Sequence, residues 1–172
     1  MTTARIIDGK KIAEAFRLEI ARDIKSLAAK GVTPGLAAVL VGDNPASQVY
    51  VRNKKKTAHE LGMYSELHEL DKNTTEESLL KKVDELNRDP KIHGILVQLP
   101  LPKHLDEKKI INAVSPDKDV DGLHPISAGK LLTGQPGLVP CTPFGVMKLL
   151  EYMNVELKGA HAVVLGRSNL VG

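Results

Sequence analysis

Residues 36–41 form the sequence LAAVLV, an unbroken apolar run. An alternating pattern would indicate a strand with one face in water, whereas a continuous run of this length is typical of a strand buried on both faces. Residues 94–99, GILVQL, have the same character except at Gln98. Strands buried on both faces occur almost only in parallel sheets that are covered by helices. The two runs therefore predict an α/β fold with a largely parallel sheet and flanking helices.

Two amphipathic helical patterns flank the first run. Asp8 can cap a helix whose apolar residues recur at spacings of three and four, and Gly31 is a suitable residue to end it. After the strand, Ser47 is the predicted cap of a second helix that runs to about Leu61 and stops at Gly62. This order of helix, strand and helix supports the α/β prediction.

The segment before the second run carries a weaker strand pattern over 65–70 and then another helix. Thr74 and Glu77 have the spacing of a capping box, and Asp89-Pro90 would break the helix that they begin. A short helix is predicted over 106–114, after the prolines that end the second apolar run.

The remaining third of the chain is richer in turn-forming residues. The proline and glycine content from Gly129 to Pro143 predicts a linker, and Thr142 is the predicted cap of a helix that follows it. Residues 160–165 (AHAVVL) predict a final strand that leads into a glycine-containing turn at 166–172. Because a strand and a turn of this kind normally open a βα unit, we expect the chain to be the first part of a longer polypeptide.

Length and composition exclude several classes of protein. The 172 residues are 42% hydrophobic and 26% charged, which is typical of a globular chain and argues against a disordered one. The net charge is only +3 and aromatic residues make up 3%, so a basic patch or a base-stacking surface for nucleic acid is not expected. No apolar run reaches the length of a membrane span or of a leader h-region. The single cysteine, Cys141, fits a reducing compartment, and we expect a cytoplasmic protein.

Two candidate groups lie near the predicted carboxyl ends of strands, where α/β sheets bind ligands. Tyr50 and Lys54 are four residues apart and share one helical face, which would place an aromatic ring beside an amine. Gln98 interrupts an apolar strand, and a buried amide needs a partner. Each has a plain structural alternative: a solvated lysine with a packing tyrosine, and an amide that caps a neighbouring loop.

Two loops complete the candidates. Asp119 and Asp121 precede Gly122 in an acidic loop that could accept hydrogen bonds from a ligand, although a solvated loop would have the same composition. No histidine or further acid has the spacing of a metal site, so no metal is expected. Gly166 and Arg167 could hold a phosphate at a helix start, but Ser168 stands where a dinucleotide fingerprint has its second glycine. Cys141 precedes a predicted helix start, where the pKa of a thiol can be lowered.

Considered together, five motifs resemble those of the bifunctional methylenetetrahydrofolate dehydrogenase/methenyltetrahydrofolate cyclohydrolase (FolD) family. They occur in the family's order along essentially the whole chain. The motifs are residues 41–54 (VGDNPASQVYVRNK), 94–102 (GILVQLPLP), 116–122 (PDKDVDG), 140–143 (PCTP) and 166–172 (GRSNLVG).

The resemblance implies an enzyme of one-carbon folate metabolism. The family oxidises 5,10-methylenetetrahydrofolate with NADP and hydrolyses the methenyl product to 10-formyltetrahydrofolate. On this resemblance Lys54 is the catalytic lysine, Gln98 forms a hydrogen bond with it, and Asp121 holds the amino edge of the pterin. Tyr50 would stack on the pterin and aminobenzoate part of the substrate.

The same resemblance extends to the pocket walls and to the cofactor. Val97 and Leu99 would line the folate cleft, while Gly166, Arg167 and Ser168 would bind NADP. Arg167 is the candidate for recognising the 2′-phosphate that NAD lacks.

The family's organisation implies two parts in this chain. Residues 1–140 would form the folate-binding catalytic domain, and residues 141–172 the linking helix, first strand and glycine loop of an incomplete, Rossmann-like NADP domain. The complete protein would be a homodimer. Two alternatives remain open: a fragment that binds folate, with cyclohydrolase activity at most and no dehydrogenase activity, and a non-catalytic assembly module.

Overall fold

Helices and strands alternate along the chain in the computed structural model, which describes residues 4–168. The elements are α1 (Gly9–Ala28), β1 (Gly35–Val41), α2 (Pro45–Glu60), β2 (Tyr64–Leu70), α3 (Glu76–Arg88), β3 (Gly94–Val97), α4 (Glu107–Ala113), α5 (Pro125–Leu132) and α6 (Cys141–Tyr152). The predicted α/β class is confirmed.

The three strands form one sheet in the order β2-β1-β3, and both neighbouring pairs are parallel. Gly35 lies opposite Tyr64 on one side of β1, and Leu36 lies opposite Gly94 on the other. The central strand is buried at every residue except Leu36, which is half-buried. This is the environment that the unbroken apolar run predicts.

Helices cover both faces of the sheet. On one face, Leu79, Val83 and Leu86 of α3 pack with the odd-numbered side chains of β1 into the main core. Burying each of these side chains stabilises the fold by roughly 1.5–3 kcal/mol. On the other face α2 packs against β1 and β2, and its Val51 is fully buried. Because α2 follows β1 after a short turn, the helix begins near the carboxyl end of that strand.

The predicted cap of the first helix and the predicted stop of the second are both confirmed. Asp8 caps α1 by accepting a 3.0 Å hydrogen bond from Lys11 N. Gly62 follows α2 with φ 88°, a left-handed conformation that glycine adopts without strain. The start of α2 was wrongly predicted: Asn44, not Ser47, is the cap, and its side chain accepts from Ser47 N at 3.1 Å. The helix begins early because proline favours the first helical position.

The third helix begins one residue later than its capping-box pattern predicts. Thr75 is the cap, and its hydroxyl accepts from Ser78 N at 3.2 Å. Thr74 instead belongs to the preceding turn, since its backbone N–H donates to the carbonyl oxygen of Asp71 at 2.9 Å. Asp106 caps α4, which agrees with the short helix predicted over 106–114.

Three boundaries further along differ from the sequence prediction. The strand predicted to reach Leu99 ends at Val97, although Gln98 N still donates to Val39 O at 2.8 Å. Helix α5 begins before and extends into the segment predicted as a linker, because Pro125 occupies its first turn and Nδ1 of His124 accepts from Ile126 N at 3.0 Å. Helix α6 begins at Cys141, earlier than the predicted cap at 142.

The strand predicted over residues 160–165 does not form. This segment has no regular secondary structure, and Val163 and Leu165 are 73% and 93% exposed. A strand is stabilised by hydrogen bonds to a neighbouring strand, and the described residues offer this segment no such partner. The predicted turn at 166–172 extends beyond residue 168 and therefore lies partly outside the described residues.

Within residues 4–168, no helix combines the length and apolar character that a membrane span requires.

Candidate active site

A pocket of about 270 Å³ opens at the carboxyl end of β3. Four segments of the chain meet there: α2, the residues that end and follow β3, the acidic loop, and the start of α6. The lining residues are Lys54, Val97, Gln98, Leu99, Asp121, Leu123, Cys141 and Thr142. Five of the six residues predicted to contact folate therefore line one cavity.

Lys54 is placed at the pocket by α2. The side chain is half-buried, whereas the neighbouring Lys55 and Lys56 are exposed. Tyr50 lies one turn earlier on the same face of the helix, is 63% exposed, and does not line the pocket. Among the residues that line the cavity, Lys54 is the only lysine or arginine.

Gln98 follows the last residue of β3. Its Nε2 donates a 2.7 Å hydrogen bond to the carbonyl oxygen of Leu99. Its Oε1 is buried and has no hydrogen-bond partner among the described residues. The predicted hydrogen bond between Gln98 and Lys54 would need the lysine amine to donate to Oε1, and it is not formed here. A buried acceptor of this kind costs about 1–3 kcal/mol unless a donor reaches it.

Asp121 lies across the pocket from α2. Burial raises the pKa of its carboxyl group, the positive charge of Lys54 opposes that shift, and the negative charge of Asp119 adds to it. The pocket thus brings together an acid and an amine whose charges interact.

The turn after Asp121 packs closely against the start of α6. Gly122 has φ 65°, and a Cβ atom added there would lie 2.5 Å from the backbone nitrogen of Pro140. Only glycine can adopt the left-handed conformation without strain and also leave room for Pro140, because it has no Cβ atom. This contact brings α6 to the edge of the pocket.

Cys141 is the first residue of α6 and lines the pocket. Its thiol donates to the carbonyl oxygen of Val120 at 3.1 Å. The expectation of a lowered thiol pKa is wrong: burial raises the pKa, and the negative charge of Asp121 raises it further, while Lys54 opposes the shift. At this position burial and the nearby carboxylate together outweigh the pKa-lowering effect of the helix start.

Three lining residues were not singled out as site residues from the sequence: Leu123, Cys141 and Thr142. Cys141 and Thr142 lie in the PCTP motif, so the motif itself was a usable signal. Leu123 follows the acidic loop with no pattern of its own, and only the folded loop places it at the cavity.

The predicted cofactor residues are not gathered into this pocket. Gly166, Arg167 and Ser168 lie in an exposed segment without regular secondary structure. Within residues 4–168, this segment provides neither a strand nor a helix N-terminus against which a pyrophosphate could bind.

Comparison with known proteins assigns the chain to a family. The profile described as "Tetrahydrofolate dehydrogenase/cyclohydrolase, catalytic domain" matches residues 7–121, and that of the corresponding "NAD(P)-binding domain" matches residues 140–172. The chain belongs to the tetrahydrofolate dehydrogenase/cyclohydrolase family. The resemblance of the five motifs is thereby confirmed.

Curated relatives of the chain are named "Bifunctional protein FolD", and two of them show the extent of the match. The protein from Paracidovorax citrulli is 58% identical over 99% of this chain and 60% of its own length. That from Moorella thermoacetica is 56% identical over 98% of this chain and 60% of its own. The chain therefore spans about 60% of the length of the relatives it matches.

Solved structures agree with the fold. FolD methylenetetrahydrofolate dehydrogenase/cyclohydrolase from Campylobacter jejuni superposes with a TM-score of 0.95 at 45% identity, covering 98% of this chain and 60% of that one. The Trypanosoma brucei enzyme, solved with NADP cofactor and inhibitor, gives a TM-score of 0.94 at 39% identity, with 100% and 59% coverage.

Proposed function

We propose that the pocket between α2, β3 and the acidic loop binds a tetrahydrofolate derivative. The observation that carries the proposal is the convergence of Lys54, Gln98 and Asp121 on one cavity, although they lie on three separate segments of the chain. Family membership supports the substrate class. If Lys54 were only a solvated surface residue, Gln98 only a loop cap and Asp121 only part of a solvated loop, nothing would require the three to line one cavity.

The pocket offers complementary groups to a pterin. The carboxylate of Asp121 can accept hydrogen bonds from the ring's amino edge, and the buried Oε1 of Gln98 can accept one from a ligand or from Lys54. Val97 and Leu99 supply apolar walls. Tyr50, exposed on the same face of α2 as Lys54, is available to stack on the flat part of the ligand.

The reaction that this chain can support by itself is hydrolysis of the methenyl group. The oxygen of water bonds to the methenyl carbon, and the bond from that carbon to N5 breaks. N5 takes one of the two water protons and the other is released, so the cationic methenyl group becomes the neutral formyl group of 10-formyltetrahydrofolate. Lys54 is the group placed to take a proton from the attacking water and to pass it to solvent.

We propose NADP-dependent oxidation only for a protein with the length of the relatives. Gly166, Arg167 and Ser168 would bind the phosphates of NADP there, since the NAD(P)-binding profile includes them. In the described part of the chain they form no phosphate cradle, so hydride transfer is not proposed for residues 4–168 alone.

We also propose the division into a folate-binding domain at 1–140 and a linking helix with the start of an NADP domain at 141–172. Two separate family profiles match the chain, at residues 7–121 and 140–172, and they support this division. A homodimer and a cytoplasmic location remain expectations from the resemblance.

The test compares two neighbouring lysines. Lys54→Ala should lower the rate of methenyl hydrolysis by about 10²-fold or more, the usual contribution of a positioned general base. Lys55→Ala, on the exposed side of the same helix turn, is the matched control and should retain wild-type hydrolysis and binding of 5-formyltetrahydrofolate.

Three outcomes separate the candidate functions. Binding with hydrolysis that depends on Lys54 supports the proposal, whereas binding without hydrolysis leaves a folate-binding fragment. If the wild-type chain binds no 5-formyltetrahydrofolate, the pocket is not a folate site and the non-catalytic alternative is favoured.

A further inference from the structure

Asp119 is a buried carboxylate two residues before Asp121 in the acidic loop. It is 4% exposed and accepts three hydrogen bonds. The donors are Leu123 N at 3.2 Å, His124 N at 2.9 Å and the Ser127 hydroxyl at 2.7 Å. Charged groups that are fully hydrogen-bonded in this way hold surrounding backbone more firmly than neutral ones do.

We propose that Asp119 and Ser127 are positioning residues that fix Asp121 for ligand binding. This inference rests on the proposed folate function of the pocket. Neither residue lines that pocket. Both residues would hold the backbone of residues 119–124 in place, and that backbone in turn places Asp121.

The loop is closed around the carboxylate of Asp119. Its first residue is held to β3, because Asp119 forms a parallel bridge with Ile95 and Ile95 N donates to Lys118 O at 2.7 Å. Its turn is closed by a 3.1 Å bond from Gly122 N to Asp119 O. Two side-chain bonds, from Leu123 N and His124 N, then tie the segment after the turn to the same residue. Asp121 lies inside this closed segment and has little freedom to move.

Helix α5 is the other support of the loop. Ser127 is 2% exposed and lies in the first turn of α5, so its hydroxyl connects the helix to the carboxylate of Asp119. The sequence analysis predicts no helix at Ser127, and only the second half of α5 falls in the predicted linker, so this connection becomes visible only in the folded chain.

The experiment measures the Kd of 5-formyltetrahydrofolate for the 172-residue chain and its Ser127→Ala variant. Loss of one hydrogen bond to a buried charge should weaken binding about ten-fold. Thr133→Ala is the matched control, because that hydroxyl bonds to Gly129 O at the opposite end of α5. The control should bind as the wild type does.

A double-mutant cycle distinguishes positioning from general destabilisation. If Ser127 acts through Asp121, Ser127→Ala should have little effect on Kd in an Asp121→Asn background. In hydrolysis assays KM should rise, while kcat should stay within about two-fold of wild type, since Lys54 lies on a different element. Asp119→Asn is a second variant with the same expected outcomes, to be used if Ser127→Ala does not fold.

Two results would count against the inference. An unchanged Kd in a folded variant, or an equal loss in both backgrounds of the cycle, would show that the network does not act through Asp121. Absence of 5-formyltetrahydrofolate binding by the wild-type chain would instead overturn the proposed function, and this inference with it.

Discussion

Nε2 of Gln98 donates to the carbonyl oxygen of Leu99 at 2.7 Å, and this bond leaves Oε1 of Gln98 buried with no partner among the described residues. The amide is thus held in one orientation by the backbone of the next residue. Gln98, which carries this unpartnered acceptor, lines the pocket. A buried acceptor without a partner lowers the stability of the fold. It gains its hydrogen bond only when a donor, such as one on a bound ligand, reaches it.

Gln98→Met therefore tests the cost of the free acceptor. The substitution removes a buried unpartnered oxygen and one hydrogen bond, so the free energy of unfolding should stay within about 1 kcal/mol of wild type. Hydrolysis and folate binding should both fall. Urea unfolding and a binding titration provide the two measurements. A loss of stability above about 2 kcal/mol would show instead that Oε1 has a partner in solution, such as the predicted bond to Lys54.

The raised pKa of Asp121 predicts how folate binding depends on pH. Burial raises this pKa, and the carboxyl must be ionised to accept hydrogen bonds from a pterin edge. Affinity should therefore increase as the pH rises through a value above that of an ordinary aspartate. In Asp121→Asn this pH dependence should disappear. A wild-type affinity that does not change over that range would contradict the role assigned to Asp121.

The same group predicts a pH-dependent difference in stability. Because the folded state holds the Asp121 proton more tightly than the unfolded state, ionisation destabilises the fold, and stability is lost as the pH rises through the raised pKa. Asp121→Asn should be more stable than wild type near pH 7, and the difference should shrink towards about pH 4, where an ordinary aspartate takes up its proton. Thermal unfolding of both proteins across this range provides the measurement.

Cys141 should react slowly with iodoacetamide at neutral pH. Its thiol pKa is raised by burial and by the charge of Asp121, so less thiolate is present than in an ordinary cysteine. Asp121→Asn should accelerate alkylation, and 5-formyltetrahydrofolate should slow it because Cys141 lines the pocket. Mass spectrometry gives the rates, with the urea-unfolded chain as reference. A folded-state rate equal to that reference would contradict the prediction.

Gly122→Ala should destabilise the protein and disrupt the pocket. The left-handed conformation costs a non-glycine residue about 1–2 kcal/mol, and the added methyl would also collide with Pro140 N. Gly129→Ala is the control: nothing lies within 4 Å of the position of its Cβ, and alanine favours the helix by roughly 0.5–1 kcal/mol. Unfolding free energies of the two variants should change in opposite directions.

Much of the fold follows from local patterns in the sequence. The apolar runs at 36–41 and 94–99 indicate strands buried on both faces, and such strands need helices on each side. Caps and glycines mark helix ends to within one to three residues, because they act on backbone groups of adjacent residues. Residue type and position made Lys54, Gln98 and Asp121 candidates with plain structural alternatives, and only the resemblance of the five motifs assigned them roles.

Tertiary structure decided the features that depend on distant segments. The strand predicted at 160–165 has no neighbouring strand among the described residues and stays unpaired, since a ladder needs a second segment. The pKa of Cys141 is raised mainly by burial and further by the charge of Asp121, which lies twenty residues earlier in the sequence. The bond between Ser127 and Asp119 joins a helix to a loop that no periodicity connects. Sequence patterns indicate which residues prefer burial or a turn. Electrostatic and hydrogen-bond partners depend on tertiary packing, because packing brings together groups that are far apart along the chain.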